Sequence, residues 1–139
     1  LKVAGLVDRN PALTKLVRPP VQSDDLRGRA LTNKEVSYLL AGPDQTKTEG
    51  ARDYALILLM LRTSLRVGEA TSIKVSSIKW SHGRWILKFK VKGGRERTIP
   101  LPPEVKKAID HYLKLDKDRR KLLRSDGNEA FIFQPITNY

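Results

Sequence analysis

A chain of 139 residues with 40% apolar and 30% charged side chains is the size of one ordinary domain with its own core, which excludes a disordered tail. It has no cysteine, so disulfides and cysteine-held metals are ruled out, and its longest apolar run, residues 55–61, is too short to cross a bilayer. Lysine and arginine number 27 against 15 aspartate and glutamate, a formal +12, so a polyanionic partner is expected to offset the self-repulsion.

Nucleic acid is the leading partner, because no basic amphipathic helix with bulky apolar anchors supports a membrane surface. A merely solubilising surface is the alternative reading of the charge. No signal-peptide layout opens the chain, and a cytoplasmic location is expected.

Residues 1–14 end in Asp8-Arg9-Asn10-Pro11, a helix stop followed by a turn signal. Residues 15–30 carry Pro19-Pro20, a polar cluster and Gly28, and read as a linker. A new domain, residues 31–139, opens at Leu31. Thr32-Asn33-Lys34-Glu35 spells a capping box, predicting a helix to about Leu40 that stops at Gly42-Pro43, with Leu31 and Val36 placed to form a hydrophobic staple. A second helix is predicted over residues 51–63; it is apolar all round and expected in the middle of the core, with Tyr54 buried.

A short third helix follows over residues 67–72. The period then changes to two: Trp85, Leu87, Phe89 and Val91 alternate with Ile86, Lys88, Lys90 and Lys92, as in a half-buried strand. Gly93-Gly94 signals a hairpin to a second strand over residues 95–101, and residues 77–80 read as a third strand turning at His82-Gly83. From Pro103 another helix presents Val105, Ala108, Ile109, Tyr112 and Leu113 on one face. The charged residues 116–121 are expected to be its solvated end or a loop, and residues 131–133 a short apolar segment. The class is α+β, mainly helical, with a small three-stranded antiparallel sheet.

Two segments can carry chemistry. In Leu65-Arg66-Val67-Gly68-Glu69 the arginine stands at a helix start, where free amides favour an anion and a guanidinium can grip phosphate with two parallel bonds. Glu69, one turn on, can orient it, although taken alone the same residues fit an ordinary surface ion pair. In the hairpin, a two-residue Gly93-Gly94 turn would set Lys92 opposite Arg95 and Lys90 opposite Arg97, putting all four cations on one face. That register also puts Ile99 on the basic face, so a longer turn or a bulge stays open. A lysine at the tip can donate a proton to a leaving alkoxide, although an ordinary charged hairpin has the same composition.

Together, Thr63-Ser64-Leu65-Arg66-Val67-Gly68-Glu69 and Lys92-Gly93-Gly94-Arg95-Glu96-Arg97-Thr98-Ile99-Pro100-Leu101 resemble the tyrosine recombinases, the phage-integrase family. Gly5-Leu6-Val7-Asp8-Arg9-Asn10-Pro11-Ala12 looks like the end of that family's core-binding domain. The resemblance implies a fold of the recombinase catalytic type and double-stranded DNA as partner. It implies cutting and rejoining through a 3′-phosphotyrosine, with no metal or nucleotide cofactor.

By resemblance Arg66 corresponds to the first catalytic arginine, Lys92 to the lysine that protonates the leaving 5′-oxygen, and Glu69 to a supporting acidic position. Lys90, Arg95 and Arg97 are expected to contact DNA. Ser64 and Val91 stand where the family often has glycine. The family's His-x-x-Arg box and tyrosine nucleophile have no counterpart: His111-Tyr112-Leu113-Lys114 lacks the arginine, and Tyr38, Tyr54, Tyr112 and Tyr139 are all poorly placed.

The chain is therefore expected to be the amino-terminal part of the catalytic domain, inactive alone and monomeric. Its parent is expected to act as a homotetramer on paired sites, nucleoid-associated in a prokaryote or phage. A regulator that binds DNA without cutting is the alternative, and an RNA-associated basic module a third reading favoured by charge only.

Overall fold

The computed structural model describes residues 28–136. Every element below belongs to one unit of the chain, which begins at Thr32. The expected core-binding remnant, most of the expected linker and Tyr139 lie outside the described residues.

Helix α1 (Asn33–Ala41) starts as its capping box dictates: Thr32 Oγ1 accepts the Glu35 N–H at 3.3 Å, and Glu35 Oε2 accepts the Thr32 N–H at 2.9 Å. Helix α2 (Thr48–Thr63) begins three residues before the sequence pattern suggests. Its first turn rests on the preceding loop, where Asp44 Oδ1 accepts the Thr46 N–H and hydroxyl. Gly50 makes this close approach possible, because a Cβ there would lie 2.1 Å from the Asp44 carbonyl oxygen.

The expectation that α2 is buried all round is corrected. Only Ala51, Ala55, Leu58 and Leu59 are fully buried, while Tyr54, Leu56 and Met60 are half-buried at the edge of the core. The helix packs mainly against α4 (Pro103–Leu115), which buries Val105, Ala108, Ile109 and Tyr112. Each large apolar side chain so buried contributes roughly 1.5–3 kcal/mol. At the end of α2, Ser64 adopts a left-handed conformation (φ 56°, ψ 27°), and its N–H bonds the Met60 carbonyl at 2.9 Å. A glycine is the usual residue at such a cap.

A short α3 (Val67–Thr71) and a 3₁₀ turn (Val75–Ser77) lead into an antiparallel sheet of β1 (Ile78–Ser81), β2 (Arg84–Lys90) and β3 (Glu96–Pro100), in that spatial order. The β1–β2 turn holds His82 (φ 49°) and Gly83 (φ 75°) between the paired Ser81 and Arg84, the two-residue geometry that matches strand twist. Trp80 and Trp85 pack edge to face across it, 5.2 Å between centroids.

The β2–β3 register corrects the expectation built on a two-residue turn. Lys90 pairs with Glu96, Phe89 with Arg97, Lys88 with Thr98 and Leu87 with Ile99. The loop is three residues long: the Val91 N–H bonds the Arg95 carbonyl at 2.9 Å, and the Gly94 N–H bonds the Val91 carbonyl at 3.0 Å. Gly93 and Gly94, at φ 89° and 76°, supply the left-handed turn. Burial decides the matter: a one-residue slip would move Ile99 from beside buried Leu87 to the lysine face. Lys88 and Lys90 therefore sit on the opposite face from Arg95 and Arg97.

A third correction falls on residues 116–121. They form not a loop but helix α5 (Lys117–Leu122); Lys117, Asp118 and Lys121 are exposed as expected, whereas Asp116 (1% exposed) and Arg120 (3% exposed) are buried. Arg120 donates to Asp116 Oδ2 at 2.8 Å, to the Tyr112 hydroxyl at 3.1 Å, and to the carbonyls of Phe131 and Ile132. Arg119 grips the same carboxylate through Nε at 2.5 Å and Nη2 at 2.6 Å. Burial alone would raise the Asp116 pKa, but the hydrogen bonds and charges of the two arginines outweigh it and hold the carboxyl below its ordinary 3.8. The network ties the buried Ile132 and Phe133 to α4, where the Phe133 ring stacks on Tyr112.

Candidate active site

The end of α2 delivers Arg66. After the left-handed Ser64, Leu65 is buried and pins the chain, so Arg66 emerges in extended backbone as the residue capping α3. Buried Ala70 and Ile73 hold α3 against the core. The Arg66 side chain is 84% exposed, and its Nη1 lies 3.8 Å from Glu69 Oε1. Glu69, its side chain only 18% exposed, also accepts the Arg66 backbone N–H through Oε2 at 2.9 Å. The carboxylate thus fixes both ends of the arginine while leaving guanidinium donors for a ligand. One turn of helix adds little dipole, so the guanidinium is the main attraction for an anion.

The hairpin delivers the rest. Lys92 occupies the three-residue loop, and Arg95 and Arg97 stand on the face that looks toward Arg66. Arg66, Glu69, Lys92, Arg95 and Arg97 line one open cleft of about 530 Å³, with Val91 and Glu96. Four cations against two carboxylates leave it basic. Lys92, Arg95 and Arg97 form no ion pair among the described residues, so their charges are available to a ligand. A guanidinium can hold two phosphate oxygens in parallel, and an ammonium beside it can donate a proton.

Lys90 is the exception among the expected site residues. The register places it on the far face of the sheet, where it lines a separate hollow with Lys88 and Lys79. Glu96, which the sequence reading passed over, lines both hollows; its place between Arg95 and Arg97 is the only local signal that could have marked it. Among the described residues no tyrosine lines the cleft. Tyr38 is exposed on α1, Tyr54 half-buried in α2, and Tyr112 holds Arg120. His82 sits in the β1–β2 turn, and His111 Nε2 meets the Gln45 carbonyl at 2.9 Å, so both are structural. Among the described residues no cluster of acidic and histidine side chains could hold a metal, and no helix is long and apolar enough to cross a membrane.

Known proteins resemble this chain in sequence and in fold. Residues 29–134 match the sequence profile described as the phage integrase family. The tyrosine recombinase XerD of Xanthomonas axonopodis pv. citri (strain 306) is 33% identical over 119 residues, covering 86% of this chain and 37% of that protein. XerD of Neisseria meningitidis serogroup A / serotype 4A (strain DSM 15465 / Z2491) is 32% identical over 134 residues, covering 96% of this chain and 44% of the relative. The chain thus spans under half the length of each. Among solved structures, the pre-cleavage complex of the XerH site-specific recombinase with its difH substrate superposes with a TM-score of 0.58 at 22% identity, over 78% of this chain and 30% of that one, a likeness of fold. The α+β architecture, three-stranded sheet included, is that of a recombinase catalytic domain. The chain belongs to the phage integrase family.

Proposed function

We propose that this chain is the phosphate-gripping part of a site-specific DNA recombinase that cuts and rejoins duplex DNA through a 3′-phosphotyrosine. The observation that carries the reading is that Arg66 and Lys92, from separate elements of the chain, line one basic cleft. Arg66 holds the non-bridging oxygens of the scissile phosphate as charge builds on them, a contribution of about 10²–10³ in rate for one well-aimed donor. Glu69 positions Arg66. A tyrosine oxygen attacks phosphorus, the bond from phosphorus to the 5′-oxygen breaks, and the Lys92 ammonium gives its proton to that oxygen. Arg95 and Arg97 neutralise neighbouring phosphates, and Lys90 does so from the far side of the hairpin. The nucleophile comes from the part of the full-length relatives that this chain does not span, so the chain alone binds without cutting. The whole protein acts in the cytoplasm as a tetramer on paired DNA sites.

The test uses the complete reading frame and a nicked duplex that traps the covalent intermediate. An adduct stable to detergent is expected, and Arg66→Ala is expected to abolish it while duplex binding persists. Duplex binding with no adduct would leave a non-cutting regulator as the correct reading.

A further inference from the structure

The far face of the sheet holds a second concentration of cations that the cleft does not use. Lys79 on β1 pairs with Ile86, and Ile86, Lys88 and Lys90 alternate along β2, so Lys79, Lys88 and Lys90 share one face. Lys74, in the segment bridged to Phe131, joins them. The four lysines line a hollow of about 590 Å³ with Glu96 and Glu129. Lys74 Nζ is paired to Glu129 Oε2 at 2.8 Å, whereas Lys79, Lys88 and Lys90 form no ion pair among the described residues. Like charges two residues apart on a strand and diagonal across strands repel, and a concave setting concentrates their field. Ser77 Oγ, on the rim, accepts the Lys74 N–H at 3.1 Å and keeps its own proton to donate. Ammonium groups with a hydroxyl donor are the groups that contact a phosphate backbone without reading bases.

We infer that this far face is a second phosphate-binding surface, holding duplex DNA backbone through Lys74, Lys79, Lys88 and Lys90 in addition to the contacts made in the Arg66 cleft. The inference rests on the DNA-binding reading above, which uses Lys90 alone on this face, and extends it to Lys74, Lys79 and Lys88. Glu129 opposes it, since its carboxylate occupies Lys74 and repels phosphate. The Lys74–Glu129 pair is exposed and weak enough for a polyanion to displace.

Binding of the 139-residue chain to a labelled DNA duplex, followed by anisotropy across a salt series, tests this. Lys79→Ala/Lys88→Ala is expected to flatten the slope of log K against log salt by about 1.8, two phosphates at about 0.9 each. Glu129→Gln is expected to tighten binding by about two- to fivefold at low salt, a gain that misfolding cannot imitate. Arg95→Ala/Arg97→Ala serves as the cleft-side comparison. If that variant flattens the slope while Lys79→Ala/Lys88→Ala and Glu129→Gln leave binding unchanged, the second surface is refuted and the DNA-binding reading stands. If the unaltered chain shows no salt-dependent binding, the DNA-binding reading itself fails and this inference with it.

Discussion

Replacing Arg120 by alanine should be the most damaging single change outside the apolar core. The side chain is 3% exposed and donates to the Asp116 carboxylate, the Tyr112 hydroxyl and two consecutive carbonyls, Phe131 and Ile132. Breaking a buried ion pair by removing one partner costs about 3–5 kcal/mol. Asp116 keeps the two-pronged grip of Arg119, which lowers the figure, and the Phe131 carbonyl keeps the Gln134 amide at 3.1 Å, but the Ile132 carbonyl loses the Arg120 donor, at about 1–3 kcal/mol when water cannot replace it. The balance is a loss of about 3–4 kcal/mol, a large share of the 5–15 kcal/mol typical of a domain. With an m-value of about 1.5–2 kcal/mol/M, the urea midpoint should fall by about 2 M at unchanged m. Arg119→Ala, whose side chain is 26% exposed, should cost only about 1 kcal/mol. Equal losses from the two variants would refute the claim that Arg120 anchors the chain around Ile132.

The same network makes a pH prediction. The folded Asp116 carboxyl lies below its ordinary 3.8, so its contribution is present above that value and is lost as pH falls through the lower folded pKa. Urea midpoints taken down to pH about 2.5 should show Asp116→Asn with a shallower acid decline, and parallel declines would remove the assignment. Gly50→Ala should destabilise by about 2–3 kcal/mol in the same assay, because the new Cβ meets the backbone of Asp44, which must move; a neutral result would mean that the loop yields freely. Ser64→Gly should raise stability by about 0.5–1 kcal/mol by relieving a left-handed conformation in a residue with a Cβ, and a loss would show that the serine side chain contributes there.

What could be read in the sequence was local. The Thr32–Glu35 box involves groups three residues apart, and the alternation of Trp85, Leu87 and Phe89 needs no knowledge of a partner strand. Arg66, Glu69 and Lys92 were found through their neighbours, and the structure brings them to one cleft. The hairpin register was not fixed locally, since Gly93-Gly94 serves a two- or a three-residue loop equally well. Packing of Ile99 beside Leu87 chooses between them, and with that choice Lys90 leaves the face expected for it. Residues 116–121 misled for the opposite reason. Their charge reads as solvation, yet the acceptors that make burial of Arg120 tolerable are carbonyls beyond residue 130, which no local pattern reveals. Lys79 likewise joins Lys88 only once β1 is set against β2.

The central claim, that Arg66 and Lys92 act on one phosphate in different roles, is tested most directly by changing the leaving atom. In the complete reading frame, cleavage would be compared on a duplex with the ordinary 5′-oxygen and on one with sulfur in that bridging position. A thiolate leaves without a proton, so it has no need of a general acid. Lys92→Ala should be severely slowed on the oxygen substrate and nearly restored on the sulfur one, while Arg66→Ala should be slowed on both. Equal impairment of Lys92→Ala on the two substrates would contradict the account.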